Sequence, residues 1–264
     1  MNEPKPAWII EKERSKRENY QETIWLFGLH AVRDALENPT RHKLRLIITK
    51  NAADKLSEAI KQSGLLPEFS DPRKFSAPID SQSVHQGVAL EVKGLNWGEI
   101  SEVCKPINNG SRVVVLDRVT DPNNVGAILR SAEVFGALAV IAPLRYSAPE
   151  TGALAKTASG AMERQPYLKV KNLGNTLDKL KEMGYFIIGL DSEGESEMGN
   201  LGTILDGPIA LVLGAEGPGL RHKTKDICDV LARITPTKNF GSLNVSNAAA
   251  VALYASKKID KTWF

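Results

Sequence analysis

Three stretches of the chain combine residue types that plain structure does not require. The first is Asp117-Arg118-Val119-Thr120-Asp121-Pro122-Asn123-Asn124-Val125-Gly126, running on to Arg130. It begins where an apolar strand ends and a helix starts, the place where open parallel sheets bind ligands. Asn123 or Asn124 can cap that helix, because a short amide side chain accepts from orphan backbone N–H groups. Arg130 follows Asn124 by six residues, which sets the two about 120° apart around a helix. A helical side chain leans toward the N-terminus, so a long guanidinium can still reach back. Taken alone, Arg130 also reads as a solvated or salt-bridged arginine. The second stretch, Leu211-Val212-Leu213-Gly214-Ala215-Glu216-Gly217-Pro218-Gly219-Leu220, places three glycines and a proline after a buried strand. Glycine lets backbone approach a ligand closely. The stretch has neither the lysine of a phosphate-cradling loop nor the spacing of a dinucleotide fingerprint, and a plain turn is its alternative. Glu216 among the glycines can cap backbone donors or hold a hydroxyl. The third runs from Ile234-Thr235-Pro236 to Gly241-Ser242-Leu243-Asn244-Val245-Ser246-Asn247, followed by three alanines. Ser242 or Asn244 can serve as a helix cap there, and the alanines imply that something packs close to the helix.

These stretches sit in a regular alternation of elements. The run Val113 to Leu116 is apolar without interruption, as expected of a strand buried on both faces. A helix is predicted over 124–135, a strand over 137–141, a helix over 152–162 and a strand over 167–170. A helix over 173–183, a strand over 185–190 and a strand over 209–213 follow. A short helix near Thr224, a strand over 231–234 and a helix over 244–257 complete the set. Strands alternating with helices imply a mainly parallel sheet. Upstream, 23–92 reads as a smaller α/β domain: a strand over 24–28, a helix over 30–36, a strand over 44–48, a helix over 52–62 and a strand over 84–92. The segment 93–111, rich in Gly, Pro and Asn, suits a linker. Residues 1–22 carry ten charged side chains and little that is apolar, which predicts a flexible tail. Arg33, Arg41, Lys43, Arg45 and Lys50, with His30 and His42, gather in the smaller domain against Asp34 and Glu37. Such a patch can position phosphates or be an ordinary solvated face.

Taken together and in order, the three stretches resemble the signature motifs of the SpoU, or TrmH, family of RNA ribose 2′-O-methyltransferases. Asp121 to Gly126 through Arg130 and Phe135-Gly136 is similar to the first motif, Leu213 to Leu220 to the second, and Ser242 to Ser246 with Ala248 to the third. Ser159-Gly160-Ala161 stands between the first two, as in the family. Phe27-Gly28-Leu29-His30-Ala31-Val32 and His85-Gln86-Gly87-Val88 are similar to the substrate-binding domain of the bacterial 23S rRNA guanosine 2′-O-methyltransferase branch. Lys238-Asn239-Phe240-Gly241 before Ser242, and Asn247, depart from the usual pattern and bear on the substrate branch.

The resemblance implies a SPOUT-type α/β sheet over 112–264 whose C-terminal segment makes a trefoil knot. General topology rules alone would reject such a knot. It also implies S-adenosylmethionine bound bent within the knot, a homodimer with its site near the subunit interface, and an RNA substrate. Family contacts to the cofactor map onto Gly214, Ile234 and Leu243, with Leu190 and Leu213 beside them. The family's catalytic set maps onto Asn124, Arg130, Glu216, Ser242 and Asn244. A sulfonium methyl is already activated, so the enzyme must align a ribose 2′-oxygen with it and help to remove the hydroxyl proton. Arginine holds its proton with a pKa above about 12, and losing it at neutral pH would cost on the order of 7 kcal/mol. An electrostatic role is therefore cheaper for Arg130: holding the adjacent phosphate and stabilising a developing alkoxide. Glu216 would then orient Arg130, and Asn124 would fix the ribose or the methionine end. The readings to be set against a guanosine of 23S rRNA are tRNA ribose methylation and a non-catalytic RNA-binding or ribosome-assembly factor. A small-molecule methyltransferase would need a glycine-rich first loop followed by an acidic-ended strand, a pattern the chain lacks.

Composition narrows the field from another side. The 264 residues are 42% hydrophobic and 25% charged, with a net charge of +3, a globular profile. That charge neither requires nor excludes nucleic acid, so local patches decide. Two cysteines, Cys104 and Cys228, form neither a disulfide framework nor a zinc spacing. No metal is expected. No apolar run approaches the ~20 residues that span a bilayer and the N-terminus has no secretory pattern, so a cytoplasmic protein without a membrane partner is expected.

Overall fold

The computed structural model describes residues 23–80, 83–237 and 243–257. The expectations for the tail at 1–22, for Lys238 to Gly241 and for Ser242 lie outside the described residues. The chain divides into two units, 1–95 and 96–264.

In the first unit, strands β1 (Thr23–Phe27), β2 (Lys43–Ile48), β3 (Pro67–Phe69) and β4 (Val88–Lys93) form a sheet in the order β1-β4-β2-β3. β4 runs antiparallel to β1 and β2, and β3 is parallel to β2. Helix α1 (Leu29–Glu37) buries Ala31, Val32, Ala35 and Leu36, the spacing of one helical face. The helix predicted over 52–62 is two helices, α2 (Lys50–Lys55) and α3 (Ser57–Ser63), because the buried Leu56 leaves helical dihedrals. No glycine or proline there announces the break. β3 has only three residues and opens on a proline, which suits an edge strand and gives no periodic signal.

The second unit holds seven strands whose pairings are all parallel. They are β5 (Arg112–Asp117), β6 (Ala139–Pro143), β7 (Tyr167–Val170), β8 (Phe186–Leu190), β9 (Ser196–Glu197), β10 (Ile209–Gly214) and β11 (Val230–Arg233), in the order β7-β6-β5-β10-β8-β11-β9. The helices are α4 (Ile100–Val103), α5 (Pro122–Val134), α6 (Gly152–Ala158), α7 (Leu173–Glu182), α8 (His222–Ile227) and α9 (Val245–Ser256). Val113 and Val115 of β5 join Ala210 and Val212 of β10 and Leu173, Leu177 and Leu180 of α7 in one core cluster. Part of the segment expected as linker belongs to this core. Trp97, Ile100 and Val103 pack against it, Cys104 is fully buried within it, and the Tyr185 hydroxyl donates to the Cys104 carbonyl at 2.8 Å. Burial pushes the Cys104 thiol up to about 12. Helix α5 packs against α6 and α9, and α9 also packs against β10. A β-carbon on Gly126 of α5 would stand 2.8 Å from the Leu154 carbonyl of α6, so only glycine permits that approach.

Arg112, to which the sequence reading gave no role, ties the ends of the unit together. Its buried guanidinium donates to the carbonyls of Ser256 (2.6 Å), Leu205 (2.7 Å), Gly207 (2.9 Å) and Ser111 (3.0 Å). The end of α9 is thereby fixed to the start of β5.

Candidate active site

The parallel strands end along one edge of the sheet, and Asn124, Leu190, Leu213, Gly214, Glu216 and Ile234 lie at or just beyond those ends, while Arg130 lies further along α5. β10 is flanked by β5 and β8, with Gly214 opposite Asp117 and Leu213 opposite Leu190. Leu190 and Ile234 are half-buried, Leu213 is buried, and Leu243 is 48% exposed just before α9.

The first loop is closed by Asp121, not by either asparagine. Asp121 is the N-cap of α5, its carboxylate accepting from Asn123 N at 3.0 Å, with Pro122 in the first helical turn. Asn123 Oδ1 accepts from Thr157 Oγ1 at 3.1 Å. Asn124 is thus free of the capping role. Its Nδ2 donates to Glu216 Oε1 at 3.0 Å, and its Oδ1 accepts from Asn244 Nδ2 at 3.0 Å. Asn244 Nδ2 also donates to Glu216 Oε1 at 2.5 Å. Asn244 does cap its helix, since its Oδ1 accepts from Ser246 N at 2.9 Å. One residue from each of the three loops therefore meets in a closed polar triangle of two amides and a carboxylate. A single Glu216 oxygen accepts from both amides.

The glycines shape the second loop. Ala215 and Gly219 form an antiparallel bridge, and Gly217 and Gly219 have φ of +81° and +68°. The turn folds back so tightly that a β-carbon on Gly214 would stand 2.1 Å from the Gly219 carbonyl carbon. Asp117 pins its far end. The buried carboxylate accepts from Arg221 Nε (2.7 Å), Arg221 N (3.2 Å) and Thr224 Oγ1 (2.7 Å). Asp117 stands within the first stretch, yet nothing local assigns it this task, since its partners lie more than 100 residues away. Around Leu190 and Ile234 the loops are held by carboxylates. Burial would raise the Asp191 carboxyl, but the Lys225 ammonium at 2.6 Å and the Glu193 backbone N–H hold it below the usual range. Hydrogen bonds from the Thr235 hydroxyl and backbone N–H hold Glu197 low.

Arg130 is exposed on α5, and its side chain makes no hydrogen bond or ion pair among the described residues. The expected Glu216–Arg130 bond is absent; the Glu216 contacts run to the two asparagines, both through Oε1. In the first unit, Arg41 is only 3% exposed and its Nη1 donates to the Lys93 carbonyl at 2.8 Å. It is a scaffold residue rather than a phosphate ligand, because a guanidinium buried against its own chain cannot reach RNA. Lys43 Nζ donates to the Asn38 carbonyl at 2.8 Å. Arg45 makes a two-point contact with Glu68 at 2.9 and 2.8 Å and lies over Trp25. Arg33 is half-buried on α1. Among the described residues no group of three or more His, Cys, Asp or Glu is placed to hold a metal ion, and no helix is long and apolar enough to cross a membrane.

A parallel α/β sheet carries the polar triangle and the glycine turn at its strand ends, the position at which open α/β sheets take ligands. Residues 111–254 match the SpoU rRNA Methylase family, and 25–97 match the RNA 2'-O ribose methyltransferase substrate binding domain. The chain belongs to the SpoU rRNA methylase family. It is 35% identical over 236 residues to the 23S rRNA (guanosine-2'-O-)-methyltransferase RlmB of Pseudomonas putida, covering 87% of this chain and 94% of that one. It is 37% identical to RlmB of Ralstonia nicotianae, with 87% and 93% covered. Among solved structures, the SpoU methyltransferase AviRb from Streptomyces viridochromogenes, in complex with the cofactor AdoMet, shares the fold. That match has a TM-score of 0.76 over 92% of each chain at 21% identity.

Proposed function

We propose that this protein transfers a methyl group from S-adenosylmethionine to the ribose 2′-hydroxyl of a guanosine in 23S rRNA. The observation that carries the reading is the meeting of Asn124, Glu216 and Asn244 at the strand ends. The RlmB relatives, matched over nearly their whole length, support the substrate.

The residues present suit the cofactor. The glycine turn presents backbone where side chains would intrude, and Leu190, Ile234 and Leu243, at least partly exposed, offer apolar surface at the strand ends. Gly214, Ile234 and Leu243, with Leu190 and Leu213, would hold it, and when bound it supplies a methyl group activated by a sulfonium. The chain's own residues then have one task, to place the ribose oxygen and manage its proton. Arg130, with its guanidinium unengaged, binds the phosphate next to the target ribose and offsets the negative charge growing on the 2′-oxygen. Glu216, acceptor to two amides, orients Asn124 and Asn244 instead of Arg130. Ser242 belongs to the same set through the family motif.

The C-terminal segment forms the family's trefoil knot in this reading. Its support is that β10 inserts between β5 and β8 and that the chain returns as α9 onto α5 and β10. The protein works as a homodimer in the cytoplasm. Val251, Tyr254 and Val134 are large apolar side chains left exposed on α9 and α5, with Tyr254 60% exposed and edge-on to Phe135, a surface suited to a second copy. Arg33, Lys43 and Arg45 contact RNA phosphates. The test is methyl transfer from labelled S-adenosylmethionine to 23S rRNA and tRNA transcripts, followed by mapping of the modified nucleotide. Ribose-methylated guanosine in 23S rRNA is expected. Label in tRNA alone, or on a base, overturns the assignment.

A further inference from the structure

The ends of β5 and β6 carry a second feature. Arg118, the first residue after β5, and Tyr146, in the loop after β6, both adopt left-handed backbone, with φ of +63° and +60°. Such conformations are disfavoured for bulky residues and persist only where the surroundings impose them. Their side chains meet: the Arg118 guanidinium carbon lies 5.1 Å from the centre of the Tyr146 ring. The ring is nonetheless 70% exposed, so one face carries a cation and the rest is open to solvent.

The loop that presents Tyr146 is held firmly on both sides. Leu144 N donates to the Val170 carbonyl at 2.7 Å, and Ala148 N donates to the Val119 carbonyl at 3.2 Å. The second bond joins this loop to the one that leads into Asn124. Lys169 Nζ donates to Ser147 Oγ (2.7 Å), to the Ala148 carbonyl (2.6 Å) and to the Tyr167 hydroxyl (2.8 Å). An exposed aromatic ring on a rigid loop, backed by one arginine and adjoined by the exposed Arg145, is poorly explained by packing. It fits a flat, apolar, electron-rich partner attached to phosphate. Unstacked RNA bases bind in this way, on aromatic side chains and guanidinium planes.

We infer that Tyr146 and Arg118 form a preorganised platform on which an unpaired base of the RNA stacks, positioning the strand that carries the target ribose. This deepens the proposed function and rests on its RNA substrate. The platform tolerates any base, since every base has a π-face. Specificity for the target nucleotide must therefore come from elsewhere.

The experiment compares wild type, Tyr146→Ala, Tyr146→Phe and Arg118→Gln by fluorescence anisotropy with a labelled single-stranded 12-nucleotide RNA and by methyl transfer to a 23S rRNA transcript. S-adenosylmethionine binding is measured by calorimetry in each. Stacking a base on an aromatic ring supports an expected loss of about tenfold in RNA affinity, and a matching rise in KM for rRNA, in Tyr146→Ala. Tyr146→Phe should stay within twofold of wild type, because the ring rather than the hydroxyl binds. Arg118→Gln should fall between. Cofactor affinity should not change in any of them. RNA affinity in Tyr146→Ala equal to wild type overturns the platform, as does an equal loss in Tyr146→Phe or a wild-type protein that binds no RNA. A wild type that binds RNA but leaves 23S rRNA unmethylated overturns the proposed substrate, while the anisotropy series still judges the platform.

Discussion

Gly214→Ala adds one methyl group where the backbone leaves no room. The new β-carbon would stand 2.1 Å from the Gly219 carbonyl carbon, 2.4 Å from its oxygen and 2.4 Å from Leu220 N, against 3.4 Å for ordinary contact. All three are backbone atoms, so no rotamer change relieves the overlap and the 215–220 turn must retreat by more than 1 Å. Gly214 is not among the glycines with positive φ, so the effect is one of space alone. Overpacking of this kind costs about 1–3 kcal/mol of stability, and for a unit of this size each kcal/mol lowers Tm by about 2–4 °C. The functional cost should be larger, because a displacement of about 1 Å in a positioning loop can cost on the order of a hundredfold. Calorimetric titration with S-adenosylmethionine should show affinity reduced by about that factor in a protein that still unfolds cooperatively. Gly199→Ala serves as control: nothing lies within 4 Å of its β-carbon position and its φ is not positive, so both properties should stay unchanged. If Gly214→Ala binds the cofactor within twofold of wild type, the glycine turn is not its cradle and the assignment of Gly214 is wrong.

Arg130→Ala should abolish methyl transfer while leaving cofactor affinity within twofold, because the guanidinium is engaged with no group of the described chain; loss of cofactor binding in calorimetry would refute the assigned role. Lys169 carries a pH signature. Burial lowers its ammonium from 10.5 to about 8, with Glu150 opposing. The unfolded chain therefore holds that proton over a pH range in which the folded protein has released it, and stability rises with pH between those values. Urea unfolding at pH 7.5 and pH 10 should show the stability of wild type relative to Lys169→Met improving by about 2 kcal/mol at the higher pH. A constant or shrinking difference would refute it. Replacing Arg33 and Arg45 together by Gln should lower the salt dependence of RNA binding by about one to two in log–log slope. An unchanged slope removes both from the RNA contact.

Much of this protein is legible in its residue order. The uninterrupted apolar runs of β5 and β10 announced a parallel sheet, and their ends marked where the glycine and asparagine loops had to stand. Helix α1 showed its buried face through local spacing alone. Such features depend on periodicity within one element, which sequence carries directly. The tertiary structure decided the rest. Asn123 and Asn124 both suited the first cap by residue type, and only the fold shows that Asp121 takes it and leaves Asn124 for Glu216, 92 residues away. The pairing of Asn244 with Asn124 spans 120 residues, and that of Arg112 with Ser256 spans 144. Arg41 looked like its basic neighbours until burial gave it the Lys93 carbonyl. Nor could the sequence bring Arg118 onto Tyr146. Short side chains with several possible partners are satisfied by whichever group the fold brings within about 3 Å, and that choice is made by strand order, not by neighbours in the chain.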